Sequence, residues 1–166
     1  MGGKEKKTRG RISMKFIGDP NDLYKEILSI VRNSKEYLYI VSPYIGFEKD
    51  SSHLKAFKYA FREALKRNVN ISIITRGRDP QAPPKNIYII RDFLDYQDHI
   101  FLVPYLHSKI YCNESSVLIT SLNLSISSLF NQNHESGVVL TRKNSIEAQE
   151  HKKVISYIES LKYRAN

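Results

Sequence analysis

Residues 37–41 read Tyr-Leu-Tyr-Ile-Val, an unbroken run of apolar, aromatic and β-branched residues closed by Ser42-Pro43. A strand with one wet face alternates polar and apolar residues, so a run this continuous predicts a strand covered on both faces. Val69 to Thr75 predicts the next strand. Between the two, Ser51 or Ser52 is placed to cap a helix reaching about Arg67. Leu54, Phe57, Ala60, Phe61, Ala64 and Leu65 form its apolar face, while Lys55, Lys58, Arg62 and Lys66 look outward. Upstream, Arg11 to Ile17 reads as an edge strand and Gly18-Asp19-Pro20-Asn21 as a turn. A helix then runs from about Asp22 to Asn33, with Leu23, Ile27, Ile30 and Val31 as its buried stripe.

The second half changes rhythm. After a basic loop, RGRDPQAPPKN, whose three prolines prevent regular structure, Ile87 to Asp95 predicts a short helix. Strands then crowd together at Ile100 to Val103, Leu106 to Cys112, Val117 to Leu122 and Ser136 to Leu140, with Asn113 to Ser116 as a hairpin turn. From Ser145 onward Ile146, Val154, Ile155, Ile158 and Leu161 mark a C-terminal helix. Helices alternating with buried strands, followed by consecutive strands, predict an α/β fold: a mixed β-sheet flanked by helices on both faces. A chain of 166 residues fits one domain, assigned to residues 16–166.

Residues 1–15 form a basic tail that carries +5 of the net charge of +9, leaving the body at about +4. That balance favours an anionic partner, a nucleic acid or an anionic membrane, without choosing between them. The single cysteine, Cys112, excludes an intrachain disulfide and a Cys/His zinc site, and fits an intracellular, cytoplasmic setting. The charged N-terminus never reaches the apolar run of a signal peptide. No stretch approaches the ~18 apolar residues of a membrane span, so no stable membrane association is expected.

The triplet His-x-Lys occurs three times, at His53, His107 and His151. On a helix, residues two apart face different ways, so His53 with Lys55 and His151 with Lys153 read as surface helix residues. On a strand they share a face, so His107 and Lys109 are expected to converge, with Ser121 and Asn123 reaching them from the paired strand. Asn133-His134-Glu135 adds a carboxylate able to hold an imidazole. Asp92, Asp95 and Asp98, at helical spacing, read as a solvated face rather than a metal site.

HSKIYCNE, then ITSLNLS, then NQNHESGVV resembles the phospholipase D superfamily, whose signature is His-x-Lys-x4-Asp, then Gly-Ser-x-Asn, then an acidic residue before a strand. His107, Lys109, Ser121, Asn123 and Glu135 match in order, with 16 residues from His107 to Asn123 and 28 from His107 to Glu135. YIVSPYI and ISIITRGRDP look like core strands of the same fold, so the likeness covers about residues 20 to 145. Two positions depart from it: Glu114 stands where the signature has Asp, and Thr120 where it has Gly.

The resemblance implies a phosphodiesterase needing neither cofactor nor metal. His107 would attack phosphorus to form a phosphohistidine, Lys109 and Asn123 would hold phosphate oxygens with Ser121 as accessory, and Glu135 would orient His107. Glu114 would support its loop. One histidine cannot be nucleophile and leaving-group acid at once, and the chain carries one motif, so the resemblance implies a homodimer in which His107 of each subunit meets the other. Arg76, Arg78 and Lys85 are candidates for phosphate-backbone contact, since their loop follows a strand end where α/β sites form. The leading expectation is a nuclease acting on DNA or RNA. A phospholipid phosphodiesterase and a non-catalytic nucleic-acid-binding dimer are the alternatives.

Overall fold

The structure is a computed structural model that describes residues 14–46, 51–77, 99–125 and 134–165. Several expectations lie outside the described residues: most of the basic tail, Arg78 and Lys85, the helix at 87–95, and the three aspartates near it.

The chain opens with β1 (Met14–Ile17), then α1 (Pro20–Asn33), which starts two residues before the predicted Asp22. Pro20 sits in the first turn, where its missing N–H costs nothing, and the Asp19 carboxylate accepts from Asp22 N. Next come β2 (Tyr37–Val41) and the two-residue β3 (Ile45–Gly46). α2 (Ser52–Lys66) follows, capped by Ser51, whose Oγ accepts from Leu54 N, and then β4 (Asn70–Arg76). Beyond it lie β5 (Ile100–Val103), β6 (Ile110–Asn113), β7 (Ser116–Thr120), the two-residue β8 (Leu124–Ser125) and β9 (Gly137–Thr141). Asn144 caps the last helix, α3 (Ser145–Tyr163), accepting from Ile146 N and Glu147 N.

Seven strands form one sheet in the order β1-β9-β7-β6-β2-β4-β5. β2, β4 and β5 run parallel, and β6, β7, β9 and β1 continue from β2 as antiparallel neighbours. The sheet is therefore mixed, and helices cover both faces as the strand patterns predict. On one face α1 and α2 pack Leu23, Ile27, Val31, Phe57 and Phe61 against Leu38, Ile40, Ile71, Tyr111 and Leu118. On the other, Ile158 and Leu161 of α3 pack against Val41, Ile74, Ile110 and Cys112. Full burial of β2 from Leu38 to Val41 follows from its central place.

Two local devices hold the sheet in register. Asn113 Nδ2 donates to Ile30 O while its Oδ1 accepts from Ser115 N and Ser116 N, closing the β6–β7 hairpin. Gly137 is required by space: a Cβ there would lie 2.9 Å from both Leu23 Cδ2 and Thr120 Cβ.

His151 departs from the sequence reading. It is buried at the hairpin end of β6, 2% exposed, with Nε2 2.7 Å from Asn113 O and 3.8 Å from Cys112 Sγ. Burial lowers its pKa below the ordinary histidine value. Burial likewise pushes the Cys112 thiol up to about 12, with the Glu114 charge adding to it, so Cys112 is a packed thiol.

Candidate active site

β5 ends at Val103, and the chain turns through Pro104 and Tyr105 before β6 begins at Ile110. Tyr105 has φ 56°, a left-handed conformation that a bulky side chain adopts only under strain. His107 and Lys109 thus precede β6 rather than lying on it, three and one residues short of its start, and the turn at 104–105 is why the strand begins late. His107 is exposed and Lys109 half-buried. The Lys109 ammonium donates to His107 O at 3.0 Å, which draws the lysine back over the histidine's own backbone. Beside them, Ser108 Oγ and Tyr157 Oη share a hydrogen bond of 2.5 Å.

The second signature segment joins the first by one rung of the ladder: Thr120 N donates to Lys109 O at 3.1 Å. The register sets Ile110 opposite Ile119, so the expectation that Ser121 and Asn123 share a face with Lys109 by strand alternation fails. They arrive at that end of the sheet another way. β7 ends at Thr120, and Ser121 to Asn123 form a turn leading into β8. Thr120 builds that turn, donating from Oγ1 to Ser136 O and accepting from Leu122 N. The buried Tyr111 hydroxyl donates to Leu122 O from below, and Leu124 N donates to Ser42 Oγ.

Glu135 reaches the turn from the segment before β9. It is 9% exposed and accepts from Ser121 Oγ at 2.5 Å. Two further bonds lock the same contact, Ser136 N to Ser121 Oγ at 3.0 Å and Ser121 N to Ser136 O at 2.9 Å. Among the described residues the His107 imidazole makes no hydrogen bond, so the carboxylate is engaged by Ser121 rather than by His107. Asn123 Oδ1 is buried with no partner among the described residues.

Glu114 lies at the far end of β6 from His107. Its carboxylate accepts from Lys35 N and Glu36 N at 3.1 and 3.3 Å, tying the hairpin to the loop that enters β2. At the C-terminal end of β4, Arg76 donates from a guanidinium nitrogen to Tyr44 Oη at 3.3 Å. Ser42, at the end of β2, is fully buried; it donates to Tyr44 O and accepts from Leu124 N, joining the β2 end to the Ser121–Asn123 turn. The sequence marks Ser42 only as a residue at a strand end, and nothing in it singles out Tyr111. Burial raises the Tyr111 phenol well above its ordinary range, with the Glu135 charge adding to the effect. The phenol stays a donor.

Among the described residues no three His, Cys, Asp or Glu side chains group as metal ligands, and no helix is long and apolar enough to cross a membrane. The arrangement sets an exposed imidazole, an ammonium, a hydroxyl held by a buried carboxylate and an amide on one rim of the sheet.

A family profile described as "Cardiolipin synthase, PLD-like domain" matches residues 27–161. No curated protein sequence matches the chain significantly. Among solved structures, Nuc from Salmonella typhimurium, a phospholipase D family member, is similar in fold with a TM-score of 0.71. It is 14% identical, over 94% of this chain and 97% of its own. NucT from Helicobacter pylori gives a TM-score of 0.67 at 14% identity, over 93% of this chain and 98% of its own. Phosphatidylserine synthase from Haemophilus influenzae gives 0.67 at 17% identity, over 88% of this chain and 36% of its own.

Proposed function

The chain belongs to the PLD-like domain family, and on that premise we propose that it is a metal-independent nuclease, cleaving DNA first and RNA second, at a site two copies share. The observation that carries the reading is the single rung between Lys109 and Thr120. It sets the His107–Lys109 segment beside the Ser121–Asn123 turn, where Glu135 is already bound to Ser121. Neutral His107 attacks phosphorus, forming the N–P bond as the ester P–O bond breaks. The leaving oxygen takes a proton from the imidazolium of the partner's His107. Water then attacks the phosphohistidine, its proton passing to that second imidazole, and His107 leaves with its electron pair.

Lys109 and the Asn123 amide stabilise the charge that gathers on the equatorial oxygens. Glu135, held by Ser121, is the carboxylate proposed to orient His107 across the same rim. Glu114 holds the β6 hairpin in place. Net positive charge, concentrated in the tail, and Arg76 at the neighbouring strand end favour a polyanionic backbone, with Arg78 and Lys85 proposed to extend that contact. A phospholipid phosphodiesterase is the second reading, favoured by the name of the matching family and by the phosphatidylserine synthase neighbour. Both readings use one chemistry.

Purified protein and a His107→Ala variant, incubated with labelled DNA, RNA and phospholipid in excess EDTA, separate the possibilities. Cleavage of nucleic acid by the unmodified chain alone, at least ~10²-fold above the variant, is the expected result. Activity that needs added Mg²⁺, or that survives in the variant, would sink the histidine mechanism. Phospholipid cleavage alone moves the substrate and keeps the site, while salt-sensitive DNA binding without cleavage leaves a binding module.

A further inference from the structure

The segment between β5 and β6 carries its backbone strain beside the signature histidine. Tyr105, two residues before His107, holds φ 56°, yet its side chain is not packed into the core: the residue is 58% exposed. Glycine and asparagine adopt that backbone with little strain, and tyrosine does not. A bulky residue kept there with its ring in solvent adds little packing, and strain of this kind gathers at functional sites.

Tyr105 borders an open groove of about 530 Å³ that it shares with His107 and with Arg164, the C-cap residue of α3. The buried Leu106 and Leu161 give the groove an apolar lining. The hydrogen bond of 2.5 Å between Ser108 Oγ and Tyr157 Oη ties the histidine segment to α3, so the two sides of the groove are held together. Arg164 is exposed, and among the described residues its guanidinium has no hydrogen bond or ion pair.

An aromatic ring, an apolar lining and one free guanidinium are what a nucleotide binds: the base stacks on the ring, and the guanidinium takes a phosphate oxygen. We propose that this groove is a nucleotide subsite, in which Tyr105 stacks the base beside the scissile phosphate, turned out of its own stack, and Arg164 holds the next phosphate. The proposal rests on the nuclease reading above and adds the contact that recognises the nucleotide. Two residues of chain span at most about 7 Å, so a base on Tyr105 belongs to a nucleotide adjoining the phosphate at His107. Stacking does not read hydrogen-bonding edges, so the subsite accepts every base. A choline headgroup would meet Tyr105 as a cation, and Arg164 in the same groove repels that charge.

The test is steady-state cleavage, in excess EDTA, of a short oligodeoxythymidylate and of a strand of equal length built from abasic sugar phosphates. With the unmodified full-length chain, the base-bearing strand is expected to have a KM at least ~5-fold lower. Tyr105→Asn, which suits the left-handed turn and removes the ring, is expected to erase that difference with kcat retained, and Tyr105→Phe to restore it. Arg164→Gln is expected to raise KM on both strands alike, and Tyr59→Asn, at an exposed position of α2, to change neither. A base preference that survives in Tyr105→Asn overturns the subsite. So does an equal loss on both strands, which assigns Tyr105 to building the turn. Phospholipid cleavage whose KM rises in Tyr105→Asn assigns the groove to a headgroup and also overturns it. Where the chain cleaves no nucleic acid, the nuclease reading fails, and fluorescence anisotropy of the same two strands, labelled, decides the subsite. Tighter binding of the base-bearing strand, lost in Tyr105→Asn, sustains it; equal or absent binding overturns it. Photocrosslinking an iodouracil strand to the unmodified chain reads the same contact without a variant: label on Tyr105 is expected, and label confined to other residues overturns the proposal.

Discussion

His151 shows how a residue is misread when only its nearest neighbours are weighed. Paired with Lys153 it looks like a surface residue, yet 151, 154, 155 and 158 are spaced as one helical stripe, and that stripe faces the sheet. The periodicity was sufficient to bury it. Because burial lowers its pKa, the folded chain binds a proton less readily than the unfolded chain does. Stability is therefore full above the ordinary histidine pKa near ~6.5 and falls as pH drops from there toward the folded value. Arg142 and Glu114 act on the same imidazole, the first opposing its charge and the second favouring it. Urea unfolding at pH 7.5 and 5.5 is expected to show a smaller acid loss in His151→Gln than in the unmodified chain; equal losses would place the pH sensitivity elsewhere.

Thr120 and Gly137 make a second residue-scale case. They are cross-strand partners, and a Cβ at 137 meets the Thr120 side chain at 2.9 Å, beside Leu23 Cδ2 at 2.9 Å and Ile119 O at 3.0 Å. Thr120 departs from the glycine of the signature, and Gly137 supplies the space. Gly137→Ala is expected to cost about 1–3 kcal/mol in chemical unfolding, and less in a Thr120→Gly background. An additive double-mutant cycle would show that the two do not share the space.

At the level of elements, β2 and β4 were legible because burial on both faces leaves an unbroken apolar run. The start of β6 was not. The sequence reading starts that strand at Leu106, but Pro104 and the left-handed Tyr105 turn the chain first, so His107 and Lys109 reach the rim from an irregular segment. The paired two-residue strands β3 and β8 are too short for any pattern to announce, although they help hold the Ser121–Asn123 turn against the end of β2. The Glu114 carboxylate accepts from two backbone N–H groups in the loop that enters β2. Glu114→Ala is expected to lower stability by about 1 kcal/mol while leaving kcat nearly unchanged, since it acts at the far end of β6. A large kcat loss with unchanged stability would move Glu114 into the site.

For the whole molecule, the mixed sheet with helices on both faces follows from where the strand runs and amphipathic helices fall. Strand order does not follow from them. The sheet turns antiparallel where β6 pairs with β2; a hairpin adds β7, β9 pairs beside β7 after β8 has intervened, and β1 returns to the outer edge. That arrangement gathers residues 107, 109, 121, 123 and 135 from three separate stretches at one end of the sheet. Among the described residues, Met14, Phe16, Ile119 and Val138 stay exposed on β1, β7 and β9.

The stereochemical course at phosphorus tests the His107 account most directly. A diester made chiral at phosphorus, cleaved in excess EDTA, passes through two in-line displacements if His107 forms a covalent intermediate. Each displacement inverts the centre, so the product keeps the configuration of the substrate. Net retention is the predicted result; net inversion, the outcome of a single attack by water, would contradict it.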